Sequence, residues 1–219
     1  MTTVAVLPIK ALDSAKRRLA DALDAGTRRA LVQAMFADVL VALRRCALLH
    51  RVVVVSGDHG AQRIAGGYGA LVVGDRDRGH NAAAAAGVSE ALRLGAQRVL
   101  LVAGDCPLID PAQVDELLAA DCEPPCVAIV PDRHGDGTNA LLIAPPDAVR
   151  TSFGPGSHNR HHQQAAAAGV AARTVHVPGL AFDVDTPDDL DAVRELLERT
   201  RGGAAHTRGM LRQLSRSLA

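Results

Sequence analysis

Arg98-Val99-Leu100-Leu101-Val102-Ala103, running straight into Gly104-Asp105-Cys106-Pro107, is the stretch that decides the fold. Four consecutive large aliphatic residues without alternation, in a run too short for a helix, predict a strand covered on both faces. Glycine, aspartate and proline then end the strand and open a loop. Arg51-Val-Val-Val-Val-Ser56 has the same character, and residues 4–7, stopped by Pro8, form a third such run.

Outward from these runs, strands alternate with helices. Residues 27–45 place Leu31, Met35, Val39 and Leu43 on one stripe with arginines opposite, an amphipathic helix. Residues 81–94 are alanine-rich and helical, and residues 111–120 begin a helix with Pro111 in its first turn. Residues 157–168 and 186–199 read as further helices. Additional strands are expected at 70–73, 126–130, 140–143 and 174–177. The alternation predicts an α/β fold with a mixed, mostly parallel sheet and helices on both faces. Residues 1–200 form that domain. After Arg201-Gly202-Gly203, residues 201–219 read as a short basic C-terminal extension. Its Met210, Leu211 and Leu214 fall at helical spacing, suited to packing on the core or on a partner.

Composition removes several functions. Basic and acidic residues balance at 24 each, so no global field draws the chain to nucleic acid or an acidic membrane. One tyrosine, three phenylalanines and no tryptophan leave little for base stacking. No apolar run approaches the roughly 20 residues of a membrane span, and the N-terminus lacks a secretory charge pattern. Cys46, Cys106, Cys122 and Cys126 lack the paired spacing of a zinc site or a disulfide framework. The cytoplasm is the expected compartment, with no nucleic-acid or membrane partner and homo-oligomerisation left open.

In parallel sheets ligands sit beyond the carboxyl ends of the strands, so the loops there are the site inventory. Residues 9–24 form a long basic loop containing Lys10, Lys16 and Arg18; these two lysines are the only ones in the chain. Such charges suit a triphosphate and a pyrophosphate leaving group, although solvated surface lysines need no such reason. No Gly-x-x-x-x-Gly-Lys loop occurs. Asp105 follows a buried strand, where it serves either as a magnesium ligand or as a turn residue. In Asp183-Val184-Asp185-Thr186-Pro187-Asp188-Asp189, the last four residues read as a helix start with Thr186 as its cap. Asp183 and Asp185 precede the cap on one side of extended backbone, and Asp185 is the preferred partner for Asp105. Gly135-Asp-Gly-Thr138-Asn139 and Phe153-Gly154-Pro-Gly-Ser157 are glycine loops, the second opening a helix whose N-terminus suits an anion. His158, His161 and His162 could share a helix face, but no acid or cysteine close in sequence completes a zinc site.

These segments, in this order, resemble the guanylyltransferases of coenzyme F(420) biosynthesis, called CofC in archaea and FbiD in actinobacteria. The resemblance rests on Pro8-x-Lys10, Ala15-Lys16-x-Arg18-Leu19, Gly79-x-Asn81 and Gly104-Asp105-x-Pro107. It continues through the block from Pro131-Asp-Arg-His-Gly135 to Thr138-Asn-Ala-Leu141, Phe153-Gly-Pro-Gly-Ser157 and Asp183-Val-Asp-Thr-Pro187. It implies a GT-A-like nucleotidyltransferase fold and transfer from GTP to phosphoenolpyruvate or 2-phospho-L-lactate. It further implies Thr138, Gly154 and Ser157 on the phosphoacid, and Lys10, Lys16, Arg18 and Asn81 on the nucleotide. Asp105 and Asp185, with Asp183 beside them, would hold Mg2+. His80 and His158 stand where the family has apolar and aromatic residues. The tail from His206 to Leu211 resembles actinobacterial members, which use phosphoenolpyruvate. A molybdenum-cofactor or sugar-phosphate nucleotidyltransferase, and a non-catalytic nucleotide-binding module, remain as alternatives.

Overall fold

The structure, a computed structural model, describes residues 1–12, 15–75, 79–120 and 123–217; Cys122 lies outside the described residues. Among the described residues there are seven strands: β1 (Thr3–Pro8), β2 (Arg51–Ser56), β3 (Leu71–Gly74), β4 (Arg98–Val102), β5 (Cys126–Pro131), β6 (Thr138–Ala144) and β7 (Ala171–Thr174). They form one sheet in the order β3-β2-β1-β4-β6-β5-β7. β1 to β4 are mutually parallel, and β6 runs against both β4 and β5. That reversal matters for the site. Because β6 is antiparallel, its first residues lie beside the carboxyl end of β4, and Ala103 N–H donates to Asn139 O at 2.8 Å.

Helices cover both faces, as the alternation predicts. α1 (Ala25–Arg45), α2 (His59–Gly67), α4 (Pro111–Ala119), α6 (Pro187–Arg199) and α7 (Ala205–Ser217) close one face. α3 (His80–Arg93) and α5 (Ser157–Ala167) close the other. The predicted stripe of α1 is fully used: Leu31, Met35, Val39 and Leu43 are all buried. Asp24 caps this helix by accepting from Thr27 N–H. α3 lies unusually close to the sheet. A Cβ on Gly87 would stand 2.2 Å from Val6 Cγ1, so only glycine permits the approach. The consequence is that the start of α3 is drawn down over the carboxyl end of β1.

The basic loop after β1 contains a 3-10 turn at Arg17–Leu19. The segment after Gly202-Gly203 folds back as α7, with Thr207 and Leu211 buried against α1. Asp38 on α1 accepts the His206 and Thr207 N–H groups at 3.0 and 2.8 Å, which caps the new helix. Burial of Leu211 alone is worth about 1.5–3 kcal/mol.

Two expectations need correction. The seventh strand is Ala171–Thr174, not 174–177, because its pairing to β5 runs from Cys126↔Ala171 to Ile129↔Thr174. Its two alanines gave no strand signal; of the two valines that did, Val175 makes the last bond, from its N–H to Ile129 O, and Val177 lies past it. Cys126 is disulfide-bonded, whereas Cys46 and Cys106 are free and buried. A single bridge leaves no framework of spacings for a sequence reading to find. Among the described residues, no helix is long and apolar enough to cross a membrane.

Candidate active site

The carboxyl ends of β1 and β4 and the start of α6 meet at Lys16. This residue adopts the left-handed conformation (φ 57°, ψ 43°), which turns its side chain inward from an otherwise exposed basic loop. Its ammonium bonds Asp105 Oδ2 and, at 2.5 Å, Asp185 Oδ1. The lysine side chain is 7% exposed. Burial alone would lower its pKa, but the carboxylates of Asp105 and Asp185 outweigh that and raise it, so Lys16 stays charged. One buried cation thus faces two carboxylates, a local excess of negative charge beside a strand end.

Asp183 lies next to this group but has a different environment. Asn139 Nδ2 donates to its Oδ1 at 3.0 Å and to Leu180 O at 2.8 Å. Burial, then repulsion from Asp105, pushes the Asp183 carboxyl up to about 6, opposed in part by the Asn139 bond. Among the described residues, no three His, Cys, Asp or Glu side chains are grouped to hold a metal. Asp105 and Asp185 do converge on one cationic position, and carboxylate pairs completed by substrate oxygens are the usual environment of Mg2+. The donor set therefore fits that ion.

The helix start at α6 is built as the sequence indicated. Thr186 accepts from Asp189 N–H while the Asp189 carboxylate accepts from Thr186 N–H, a capping box behind Pro187. Asp189 also accepts Asp185 N–H at 3.1 Å and pairs with Arg133 at 2.6 Å. It is structural, and it holds Asp185 in place.

A second cluster lies on the β6 side. Between β5 and β6 the register moves from Val130↔Ala140 to Pro131↔Thr138, leaving Asn139 as the extra residue of a bulge. Asn139 reaches Asp183, while Thr138 turns to α5. There Ser157 Oγ donates to Thr138 Oγ1 at 3.1 Å, and His161 Nδ1 lies 3.1 Å from the same oxygen. Ser157 is not the helix cap: Gly156, at φ 70°, precedes it, and the first two N–H groups of α5 go to Gly154 O and Asp136 O. What Ser157 offers is its hydroxyl. The loop before it is fastened by Arg160 and by Asp136, whose Oδ2 accepts Gly156 N–H at 2.8 Å. Arg160 reaches Pro155 O, Ser152 Oγ, Ser152 O and Gly154 O, and none of these partners is a carboxylate. Asp132 accepts from His134, Asp136 and Gly137 N–H, and a Cβ on Gly137 would meet its Oδ2 at 2.5 Å.

Asn81 fastens α3 to the second cluster. Its amide receives Phe153 N–H at 2.7 Å and donates to Phe153 O at 3.1 Å, tying the start of α3 to the Phe153–Gly154 loop. Gly154 is exposed at φ 116°. His80 packs edge-on to Phe153 at 5.4 Å. Burial lowers its pKa, as does the Lys10 charge, while the Asp105 charge opposes the change. Lys10 and Arg18 are exposed, and among the described residues neither side chain is brought into hydrogen-bonding contact with Asp105 or Asp185. The three α5 histidines do not gather: His158 and His162 share Thr174 Oγ1, each at 2.8 Å, and His161 points inward. Sequence reasoning named Thr138, Ser157 and the aspartates. It did not assign the parts of Asn139, Arg160 and His161; Asn139 alone gave a signal, as a polar residue entering the apolar run that follows it, while Arg160 and His161 sit in a polar run.

Comparison with known proteins places this arrangement. Residues 3–218 match the family described as "Guanylyl transferase CofC like". A phosphoenolpyruvate guanylyltransferase of Conexibacter woesei is 52% identical over 219 residues, covering 99% of this chain and 98% of the relative. One of Sphaerobacter thermophilus is 42% identical over 191 residues, covering 87% and 92%. A Desulfovibrio desulfuricans G20 structure, named for nucleotide-diphospho-sugar transfer, superposes with TM-score 0.77 at 18% identity over 97% of this chain and 95% of that one. The fold is the GT-A-like nucleotidyltransferase fold.

Proposed function

This chain belongs to the guanylyl transferase CofC-like family, and on that premise we propose that it joins GTP to phosphoenolpyruvate. The products are enolpyruvoyl-2-diphospho-5'-guanosine and pyrophosphate, made in the cytoplasm for coenzyme F(420). One observation carries the reading: a buried lysine between two carboxylates lies across the β6 bulge from a paired hydroxyl cluster. The naming of the Conexibacter and Sphaerobacter relatives supports the choice of acceptor.

A phosphate oxygen of the acceptor forms a bond to the α-phosphorus of GTP. The bond from that phosphorus to the departing oxygen breaks, and its electron pair leaves with pyrophosphate. The attacking oxygen is already anionic at neutral pH, so no general base is needed; alignment and charge neutralisation remain. Lys10, Lys16 and Arg18 neutralise the triphosphate. Asn81 borders the nucleotide and holds the acceptor loop, so the two ligands meet at one hinge of hydrogen bonds. Thr138, steadied by the Ser157 hydroxyl, and the Gly154 backbone receive the phosphoacid. Mg2+ held by Asp105 and Asp185, with Asp183 adjacent, would supply Lewis-acid stabilisation of charge on the phosphates.

Incubation with GTP and phosphoenolpyruvate, with products identified by mass, tests the reading. The joined guanosine diphosphate ester and pyrophosphate are expected in equal amounts. Binding of GTP without pyrophosphate release would point instead to a non-catalytic module.

A further inference from the structure

The geometry points to His161 as a positioning residue that fixes Thr138 as a hydrogen-bond donor toward the phosphoacid. This rests on the acceptor role proposed for Thr138. His161 is wholly buried, unlike the half-buried His158 and His162 on the same helix, and both of its ring nitrogens are engaged.

Ser152 N–H donates to His161 Nε2 at 3.0 Å. A backbone N–H can only donate, so Nε2 carries the lone pair and the ring proton resides on Nδ1. Nδ1–H then faces Thr138 Oγ1 at 3.1 Å, and the Ser157 hydroxyl donates to the same oxygen at 3.1 Å. A hydroxyl has two lone pairs and one proton. With both lone pairs filled, Thr138 has only its proton left to offer. An anionic phosphate or carboxylate, which only accepts, is the partner that suits it.

The opposite tautomer would reverse the chain. A bare Nδ1 would take the Thr138 proton, and the hydroxyl would present a lone pair to an anion. Ser152 N–H prevents this, and Arg160 holds Ser152 through both its hydroxyl and its carbonyl. Phe153 packs edge-on to the imidazole at 5.2 Å, keeping the ring in its slot. Burial, together with the charges of Arg160, His158 and His162, lowers the His161 pKa to about 4, so the neutral ring persists through the working range.

The test combines one spectroscopic and one kinetic measurement. Imidazole nitrogen shifts of 15N-histidine-labelled wild type, assigned by the signal lost in His161→Gln, should show Nδ1 protonated and Nε2 bare at neutral pH. A protonated Nε2 would overturn the proposal whatever the variants do. His161→Gln keeps a group opposite Ser152 but loses the donor to Thr138; its KM for phosphoenolpyruvate should rise about tenfold with KM for GTP nearly unchanged. His161→Asn, which places an amide donor near the Nδ1 position, should lie closer to wild type. Unchanged acceptor KM in His161→Gln alongside a raised value in Thr138→Val would sink the role of His161 and leave the acceptor site standing. Unchanged values in both variants would sink the acceptor assignment as well.

Discussion

The ammonium of Lys16 stands 2.5 Å from Asp185 Oδ1 while also bonding Asp105, so a single buried cation joins the loop after β1 to the start of α6. A compact ammonium on a flexible stem fits between the carboxylates; a guanidinium would present a planar fork instead. Lys16→Arg should therefore retain the charge yet lower kcat/KM for GTP about tenfold or more, equivalent to roughly 1.4 kcal/mol. Steady-state kinetics at saturating acceptor check this. A silent substitution would mean that any cation serves at this position.

Asp105→Asn and Asp185→Asn remove the paired negative charge around that cation. Each should leave a folded protein whose turnover falls at least roughly 100-fold, because Lewis-acid stabilisation is worth several kcal/mol. Circular dichroism checks the fold and titration with Mn2+ checks the ion. Near-normal turnover in either variant would take that carboxylate out of the metal site.

Ser157 acts on the acceptor side through its hydroxyl, which donates to Thr138 Oγ1. Ser157→Ala should weaken phosphoenolpyruvate use roughly ten- to a hundredfold and leave GTP affinity almost unchanged. Calorimetric titration of each ligand separates the two effects. Equal loss for both ligands would contradict the division of the site into two clusters.

Asp189 contributes to the pH dependence of stability. Burial opposes its ionisation, but hydrogen bonds from Thr186 and Asp185 N–H and from Arg133 hold its pKa below the ordinary 3.8. A carboxylate with a depressed folded-state pKa contributes stability that is fully present above the unfolded value and is lost as pH falls through the folded one. Wild type should thus lose stability steeply below about pH 4, and Asp189→Asn should show a shallower acid limb from a lower plateau. Urea midpoints measured between neutral pH and pH 3 decide it; parallel curves would assign the acid limb to other groups.

The parts of this molecule that depend on local chemistry were legible in the sequence. Val52 to Val55 and Leu100 to Val102 announce strands buried on two faces, and Thr186-Pro187-Asp188-Asp189 writes out its own helix cap. Asp105 and Asp185 could be picked because each follows or precedes a regular element at the functional end of the sheet. Features that depend on distant pairing were not legible. Ala171 and Ala172 become strand only because β5 lies beside them. The bulge at Asn139 arises from register with β5, and it alone sends Thr138 and Asn139 to different clusters. His161 reads as one of three helix histidines until the fold brings Ser152 and Thr138 to its two nitrogens.

The most direct measurement of the central claim is the initial rate of pyrophosphate release with each of the four nucleoside triphosphates, against phosphoenolpyruvate and 2-phospho-L-lactate in turn. GTP with phosphoenolpyruvate should give the highest rate by a wide margin, and no triphosphate should release pyrophosphate without an acceptor. A faster reaction with 2-phospho-L-lactate would contradict the acceptor, a faster one with another nucleotide would contradict guanylyl transfer, and no release with any pair would contradict catalysis at this site altogether.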